Sequence, residues 1–411
     1  MIYGLLGEHL SHSFSKIIHE KLRLYSYELF PLPPEQIGDF LQSRNFAGLN
    51  VTIPYKTEVA KYCDIVDPEA GAIGAINTLY FKDGLLHGAN TDYHGLSYAA
   101  SRAGISFSGK KVLVLGGGGT SRTARALIRD LGASEIVVAE RNPTTIDGVD
   151  SVSFGGLPRD AQIIVNTTPV GMFPGNLETI IHLADFPSCD GVLDVIYNPF
   201  STALVLEAQE KGIPCSGGLP MLVAQATRSA ELFTGRSNLQ QETERIIKEL
   251  EGLLQNIVLI GMPGSGKSSF GKKLAKKIGR TFVDLDKEII KLAGKSIPDI
   301  FQQDGEPTFR ALENEVAKEF GKQNRLVIAT GGGILLNPQN AIALKQNGKL
   351  IFVDRPLTRL ATDGRPLSTG QKALAEMEKT RRPLYEKYKD ATLLNEGPFI
   401  NVLAALENLV K

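Results

Sequence analysis

Residues 255–269 read QNIVLIGMPGSGKSS. A short apolar run, Ile257 to Ile260, meets the pattern G-x-x-x-x-G-K-S between Gly261 and Ser268, and an amphipathic stretch with Phe270, Leu274 and Ile278 follows. That order predicts a buried strand, a phosphate-binding loop and a helix. Gly264, Ser265 and Gly266 let successive backbone N–H groups curl around a polyphosphate, and the helix N-terminus adds a favourable dipole. Lys267 is placed to reach the outer phosphates, while Ser268, followed by Ser269, offers a hydroxyl to Mg²⁺.

This stretch lies in mid-chain, so residues 1–254 require their own reading. A chain of 411 residues with 42% hydrophobic content exceeds what one ordinary core holds, which predicts several domains. Lys plus Arg and Asp plus Glu balance at 45 each, so no global field draws the protein to nucleic acid or to an anionic membrane. Small molecules are the expected partners. Cys63, Cys189 and Cys215 form no C-x-x-C pair, which argues against a disulfide framework or a zinc site. The start, MIYGLLGEHLSHS, lacks a basic n-region, and no window reaches the roughly 18 apolar residues of a membrane span. A cytoplasmic location is therefore expected.

Short apolar runs alternate with helical patterns: Lys111–Leu115, Glu135–Ala139, Ile163–Asn166 and Gly191–Val195, then Ile257–Ile260, Leu326–Ala329 and Leu350–Val353. Such alternation predicts an α/β protein with parallel sheets. Gln241–Leu254 has helical apolar spacing and closes the first module, which places the boundary near Gly252–Gln255. Within that module, KKVLVLGGGGTSRTARALIRDLG (110–132) reads as strand, glycine turn and helix. Gly116 makes the turn and Gly118 lets a pyrophosphate approach, with Gly117, Gly119 and Thr120 completing the candidate contacts. Ser121 stands where a third glycine is usual. The next strand ends in Glu140-Arg141-Asn142, where an acidic residue favours a ribose 2′-OH and an arginine a 2′-phosphate, so NADP and NAD both stay open.

Around this site stand GEHLSHSFSKIIHE (7–20), GLNVTIPYK (48–56), GAIGAINT (71–78), GANTDYHG (88–95), NTTPVGM (166–172), DVIYNP (194–199) and GGLPMLVAQA (217–226). In order and over residues 1–254, these resemble the shikimate dehydrogenase family. The resemblance implies a substrate-binding domain, about 1–104 and 219–254, around a Rossmann NADP-binding domain, 105–218. It implies NADPH-dependent reduction of 3-dehydroshikimate, with Lys56 and Asp92 as the catalytic pair. Substrate contacts carry over to Ser13 and Ser15 for the carboxylate, and to Thr52, Asn77, Tyr197 and Gln225 for the ring hydroxyls; Gly218 and Met221 fall at the nicotinamide edge. The pair suits the chemistry, because hydride delivery builds negative charge on the ketone oxygen and a lysine beside a carboxylate can donate a proton to it. Phe14, Lys16, Glu20 and Pro220 depart from the family pattern without removing a catalytic group. Quinate stays open as a second substrate.

After the phosphate loop come FVDLDKEI (282–289), GEPTFRALE (305–313), TGGGI (330–334), Arg365-Pro366-Leu367 and Arg381-Arg382-Pro383-Leu384-Tyr385. Asp284 and Asp286 are expected on one side of an extended segment, two residues apart. Arg310 and Glu313 are expected on one helix face, the carboxylate holding the arginine. Residues 255–411 resemble the shikimate kinase family, a P-loop kinase of the nucleoside monophosphate kinase type. The resemblance implies that Lys267 and Ser268 serve ATP and Mg²⁺, with Asp284 in the metal's outer shell. It implies that Asp286, Arg310, Gly332 and Arg381 hold shikimate, Asp286 beside the hydroxyl to be phosphorylated. Arg365, in a short lid read at residues 359–368, would neutralise the nucleotide phosphates, with Arg359 as a weaker helper.

The combined expectation is a bifunctional enzyme using NADP(H), ATP and Mg²⁺, in which the first module makes shikimate and the second phosphorylates it. The alternatives are a quinate/shikimate dehydrogenase fused to a shikimate kinase, or retention of one half only as a ligand-binding regulatory domain, although its catalytic groups are present. Oligomeric state is left open by the sequence.

Overall fold

In the computed structural model, residues 2–10, 13–146, 149–360 and 371–410 are described. The chain divides into two compact units, Met1–Glu249 and Leu250–Lys411, the division falling within the helix Thr243–Leu254.

The first unit holds two six-stranded sheets. One contains β1 (Tyr3–Gly7), β2 (Tyr27–Pro31), β3 (Gly48–Val51), β4 (Ile65–Val66), β5 (Thr78–Lys82) and β6 (Leu85–Ala89) in the order β2-β1-β3-β5-β6-β4. Its β3–β5 and β5–β6 pairs are antiparallel and the others parallel. The other, entirely parallel, contains β7 (Lys111–Leu115), β8 (Glu135–Glu140), β11 (Val152–Ser153), β12 (Ile163–Asn166), β13 (Gly191–Asp194) and β14 (Cys215–Ser216) in the order β11-β8-β7-β12-β13-β14. Between β8 and β11 in sequence, β9 (Thr145–Ile146) and β10 (Val149–Asp150) pair as a small antiparallel ribbon.

The β7 run shows why these residues form this sheet. Val112 and Val114 enter one core with Leu96, Leu127 and Ile163, whereas Leu113 and Leu115 enter another with Ile164, Phe186 and Leu204. Alternate residues face opposite layers, and only a parallel sheet covered on both faces buries both sets. The helices Thr91–Arg102 and Leu219–Thr234 carry the chain between the sheets and pack closely: a Cβ on Gly95 would come within 2.5 Å of the Met221 carbonyl oxygen. Pro220 sits in the first turn of its helix, where the missing N–H has no intrahelical partner to lose.

The second unit is a five-stranded parallel sheet of β15 (Asn256–Ile260), β16 (Thr281–Asp284), β17 (Leu326–Ala329), β18 (Gly348–Asp354) and β19 (Ala391–Leu394), ordered β16-β17-β15-β18-β19. Its first strand repeats the same logic. Val258 and Ile260 face the core containing Val283, Phe309 and Phe352, while Ile257 and Leu259 face Phe270, Leu274 and Leu406. The first strand thus lies central, and the loop leaving its C-terminal end opens at a topological switch point, where ligands bind in such folds.

Candidate functional sites

In the first unit, a cleft of about 410 Å³ is lined by Ser13, Ser15, Thr52, Lys56, Asn77, Asp92, Thr120, Tyr197, Gly218, Met221 and Gln225. The Lys56 ammonium donates to Asp92 Oδ2 at 2.5 Å, and both side chains are largely buried. Asp92 lies in the first turn of the helix Thr91–Arg102, whose N-cap residue Asn90 accepts a hydrogen bond from the Tyr93 N–H at 3.1 Å. The Thr91 N–H donates to Asn77 Oδ1 at 2.7 Å, which ties the helix start to a candidate substrate contact.

Behind Asn77 is a buried hydroxyl and amide network from five separated segments. The Thr91 hydroxyl lies 2.9 Å from that of Ser229 and 3.0 Å from that of Thr78, and Asn50 Nδ2 donates to the Ser229 hydroxyl at 2.8 Å. The Tyr27 hydroxyl donates to Asn50 Oδ1 at 2.8 Å, and Gln225 Nε2 donates to the Leu222 carbonyl at 2.9 Å. Buried polar groups with their partners satisfied hold one geometry. Sequence reasoning did not single out Asn50, Thr78 and Ser229, nor the cleft-lining His9, Phe173 and Asn198: His9, Asn50, Thr78 and Asn198 stand inside the quoted blocks with nothing local to mark a role, and Phe173 and Ser229 stand just outside them. Ser13 Oγ accepts from the Ser15 N–H at 3.2 Å, and the Phe14 ring packs 5.2 Å from that of Tyr197. Lys16 lies off the cleft and pairs with Glu28 at 3.5 Å.

The glycine turn abuts this cleft. Gly116 has φ +103°, and a Cβ there would press on the Thr167 side chain at 2.9 Å, whereas a Cβ on Gly118 would meet nothing within 4 Å. Open space over a helix N-terminus suits a pyrophosphate. Gly119 starts the helix within 3.9 Å of the Lys56 side chain, measured from a Cβ position. Glu140 accepts from the Thr144 hydroxyl at 2.5 Å and the Ser151 hydroxyl at 2.7 Å, and these bonds hold its carboxyl below its ordinary range. Its carboxylate therefore braces its own loop, while Arg141 and Asn142 stay exposed. A Cβ on Gly218 would meet the Val195 carbonyl oxygen at 2.1 Å, so only glycine fits there.

In the second unit, a cleft of about 590 Å³ is lined by Gly264, Gly266, Lys267, Ser268, Ser269, Asp286, Arg310, Glu313, Gly331 to Gly333, Arg355 and Arg381. Gly261, Gly264 and Gly266 have φ of +140°, +81° and +101°, the conformations that curl the loop. The Lys267 ammonium donates to the Gly261 and Met262 carbonyls at 2.9 Å each. The Ser265 hydroxyl is buried within the loop without a hydrogen-bond partner. A ring of donors with an orphan hydroxyl fits a phosphate chain. The Ser268 hydroxyl donates to Asp284 Oδ2 at 2.7 Å, an all-oxygen pair suited to Mg²⁺.

One expectation is overturned here. Asp284 ends β16 and is the N-cap of the helix Leu285–Ala293, so Asp286 lies in a helical first turn rather than on one side of an extended segment. The two carboxylates separate as a result: Asp284 joins Ser268, and Asp286 turns to the glycine run, where a Cβ on Gly331 would lie 2.7 Å from its Oδ1. Gly332 and Gly333 are equally tight, against Pro263 at 2.6 Å and Arg310 Nη1 at 2.8 Å. Arg310 donates from Nη1 to Glu313 at 2.8 Å and from Nη2 to Glu306 at 2.9 Å, on the helix Gly305–Gly321. Burial pushes the Glu313 carboxyl up against the pull of Arg310. Arg381 is almost fully buried, and the neighbouring Tyr385 hydroxyl donates to the Gly332 carbonyl at 2.5 Å. Arg359 donates to the Glu396 carbonyl at 2.6 Å, whereas Arg365 and most of the lid lie outside the described residues.

Residues 5–79 match the shikimate dehydrogenase substrate binding domain, and residues 263–402 match shikimate kinase. A shikimate dehydrogenase (NADP(+)) of Clostridium perfringens is 33% identical over 266 residues, covering 61% of this chain and 98% of its own length. A chorismate mutase/shikimate 5-dehydrogenase fusion protein from Clostridium acetobutylicum is 35% identical with a TM-score of 0.57, over 61% of this chain and 97% of that one. Shikimate 5-dehydrogenase from Thermus thermophilus, solved with NADP(H) and shikimate, is 32% identical with a TM-score of 0.53, over 60% and 99%.

Proposed function

The chain belongs to the shikimate dehydrogenase family and carries a shikimate kinase unit behind it, and from this we propose a bifunctional enzyme of the shikimate pathway. Its first unit reduces 3-dehydroshikimate to shikimate with NADPH, and its second phosphorylates shikimate to shikimate 3-phosphate with MgATP. The observation that carries this reading is the short Lys56–Asp92 pair in a cleft lined with neutral hydrogen-bonding groups, on the same chain as a phosphate-loop cleft lined with arginines. The product of the first reaction is the acceptor of the second. Within the first unit, about 1–104 and 219–254 form the substrate-binding part and 105–218 the NADP-binding part, with the kinase from 255 onward. The reactants are small molecules, and the cytoplasm is the proposed setting.

In the first cleft, Ser13 and Ser15 take the substrate carboxylate, and Thr52, Asn77, Tyr197 and Gln225 the ring oxygens. Bound NADPH, held by residues 116–120 and by Arg141 and Asn142, supplies the hydride. As charge develops on the ketone oxygen, Lys56 donates a proton to it, and Asp92 holds the ammonium aimed at that oxygen. The Thr91–Asn77 hydrogen bond fixes Asp92 and the polyol contacts in one frame. With Glu140 engaged by Thr144 and Ser151, the exposed Arg141 is the group available to a 2′-phosphate, which supports NADP.

In the second cleft, Arg310 and Arg381 grip the shikimate carboxylate, with Glu313 holding Arg310 in place. Asp286 accepts the proton of the reacting hydroxyl. Lys267 neutralises charge on the transferring phosphoryl group of ATP, and Ser268 with Asp284 would hold Mg²⁺, which would supply further charge neutralisation there.

Two separate assays test the proposal. Oxidation of NADPH dependent on 3-dehydroshikimate checks the first unit, and release of ADP dependent on shikimate checks the second. Absence of either removes the corresponding half.

A further inference from the structure

Beside the phosphate loop, at the end of β18, stands a cation that the chemistry above does not use. β18 pairs with β15 in a register that sets Phe352 against Ile260, so the chain leaving β18 runs next to the start of the loop. The approach is close, since a Cβ on Gly261 would come within 2.6 Å of the Val353 carbonyl oxygen. Arg355 follows at once and lines the same cleft as Gly264, Lys267 and Ser268. Its Nη1 donates to the Gly264 carbonyl at 3.4 Å, a long bond, and its Nε is buried without a hydrogen-bond partner.

Of the cations lining this cleft, Arg355 and Arg381 are in no ion pair among the described residues, and only Arg381 has a role in the chemistry above. Arg310 is paired with Glu313 and Glu306, and Lys267 is held by two loop carbonyls. The carboxylate adjacent in sequence, Asp354, is taken by Arg382 at 2.6 and 3.1 Å. Among the described residues, Arg355 has no ion-pair partner. A half-buried guanidinium with spare donors beside a phosphate loop suits an anion that arrives with the ligand, and phosphate oxygens match its geometry.

We propose that Arg355 is a nucleotide-binding residue of the kinase unit, donating to phosphate oxygens common to ATP and ADP. The strand end thereby supplies part of the charge neutralisation from the framework itself. This inference rests on the nucleotide-binding part of the kinase reading above, not on its acceptor.

The test is equilibrium binding of ADP and of adenosine to the full chain and to its Arg355→Gln variant, which keeps an N–H for the Gly264 carbonyl but no charge. The expected result is an ADP Kd raised on the order of 10- to 100-fold, with adenosine binding unchanged. Arg355→Lys should recover part of the ADP affinity. In turnover, Arg355→Gln should raise the KM for ATP and leave that for shikimate alone. An ADP affinity within twofold of the parent would overturn the inference, and so would equal weakening of ADP and adenosine, which would make Arg355 only a brace for the loop. If the parent chain binds ADP but does not phosphorylate shikimate, the kinase reading fails and the Arg355 result still stands on its own.

Discussion

The two clefts differ in how their charged groups are partnered within the protein. In the first, the proton donor and the carboxylate that orients it already lie 2.5 Å apart, and a buried network fixes the groups around them. In the second, Lys267 is folded onto its own loop carbonyls, and Arg310 is occupied by two carboxylates. The chemistry explains the contrast. Protonating a ketone oxygen needs one donor at one point, so it can be assembled in advance. Phosphoryl transfer needs several cations around a highly charged group, so the charge is spread over side chains that each have partners of their own.

Removing the preassembled donor is the most severe way to break this contrast. Lys56→Met should lower the dehydrogenase kcat by about 10²- to 10⁴-fold, with little change in the KM for 3-dehydroshikimate and none in kinase rate. A fall in substrate affinity with kcat intact would show that Lys56 only binds. In the second cleft, Lys267→Met should lower the kinase kcat by about 10²- to 10³-fold and also weaken ATP binding, since this lysine acts only once phosphates replace the carbonyls. Unaltered ATP affinity would mean that it does not leave those carbonyls.

Smaller changes sharpen the comparison through two buried carboxylates. Glu313 is 1% exposed and paired with Arg310. Glu313→Gln should release that arginine and raise the shikimate KM about tenfold, leaving the KM for ATP as it was. Steady-state kinetics with each substrate varied would check this; an equal rise in both constants would point to a general packing defect.

Among the described residues, Asp194 has no cation partner. Its oxygens accept from the Thr202 hydroxyl at 2.7 Å, the Ile196 N–H at 3.0 Å and Asn166 Nδ2 at 3.1 Å. Burial outweighs these bonds and raises its carboxyl to about 6. The folded value lies above the unfolded one, so the favourable term is full below about pH 4 and is lost as pH rises through 6. The first unit should lose on the order of 3 kcal/mol across that window, and Asp194→Asn should flatten the slope. Denaturant titrations at several pH values would measure it, and an unchanged slope in the variant would show that Asp194 ionises without penalty.

Much of this was legible in the chain because phosphate and dinucleotide loops must use glycine where backbone meets ligand. Gly116, Gly261 and Gly266, all at positive φ, made those loops readable. Alternating apolar runs also located the parallel strands, since both faces of each sheet are buried. Asp286 was misplaced because the extended and helical continuations of FVDLDKEI differ only by an N-cap at Asp284. The partners of Asn77 could not be read, for Asn50, Thr78, Thr91 and Ser229 meet only after the sheet and two helices pack. Arg355 was passed over because its significance comes from the register of β18 against β15.

The central claim is that one chain performs two consecutive steps. It is tested most directly by incubating the purified chain with 3-dehydroshikimate, NADPH and MgATP and following the products by mass. The account predicts accumulation of shikimate 3-phosphate, with NADPH and ATP consumed in equal amounts. Shikimate as the sole product would contradict the kinase half, and unchanged 3-dehydroshikimate would contradict the dehydrogenase half.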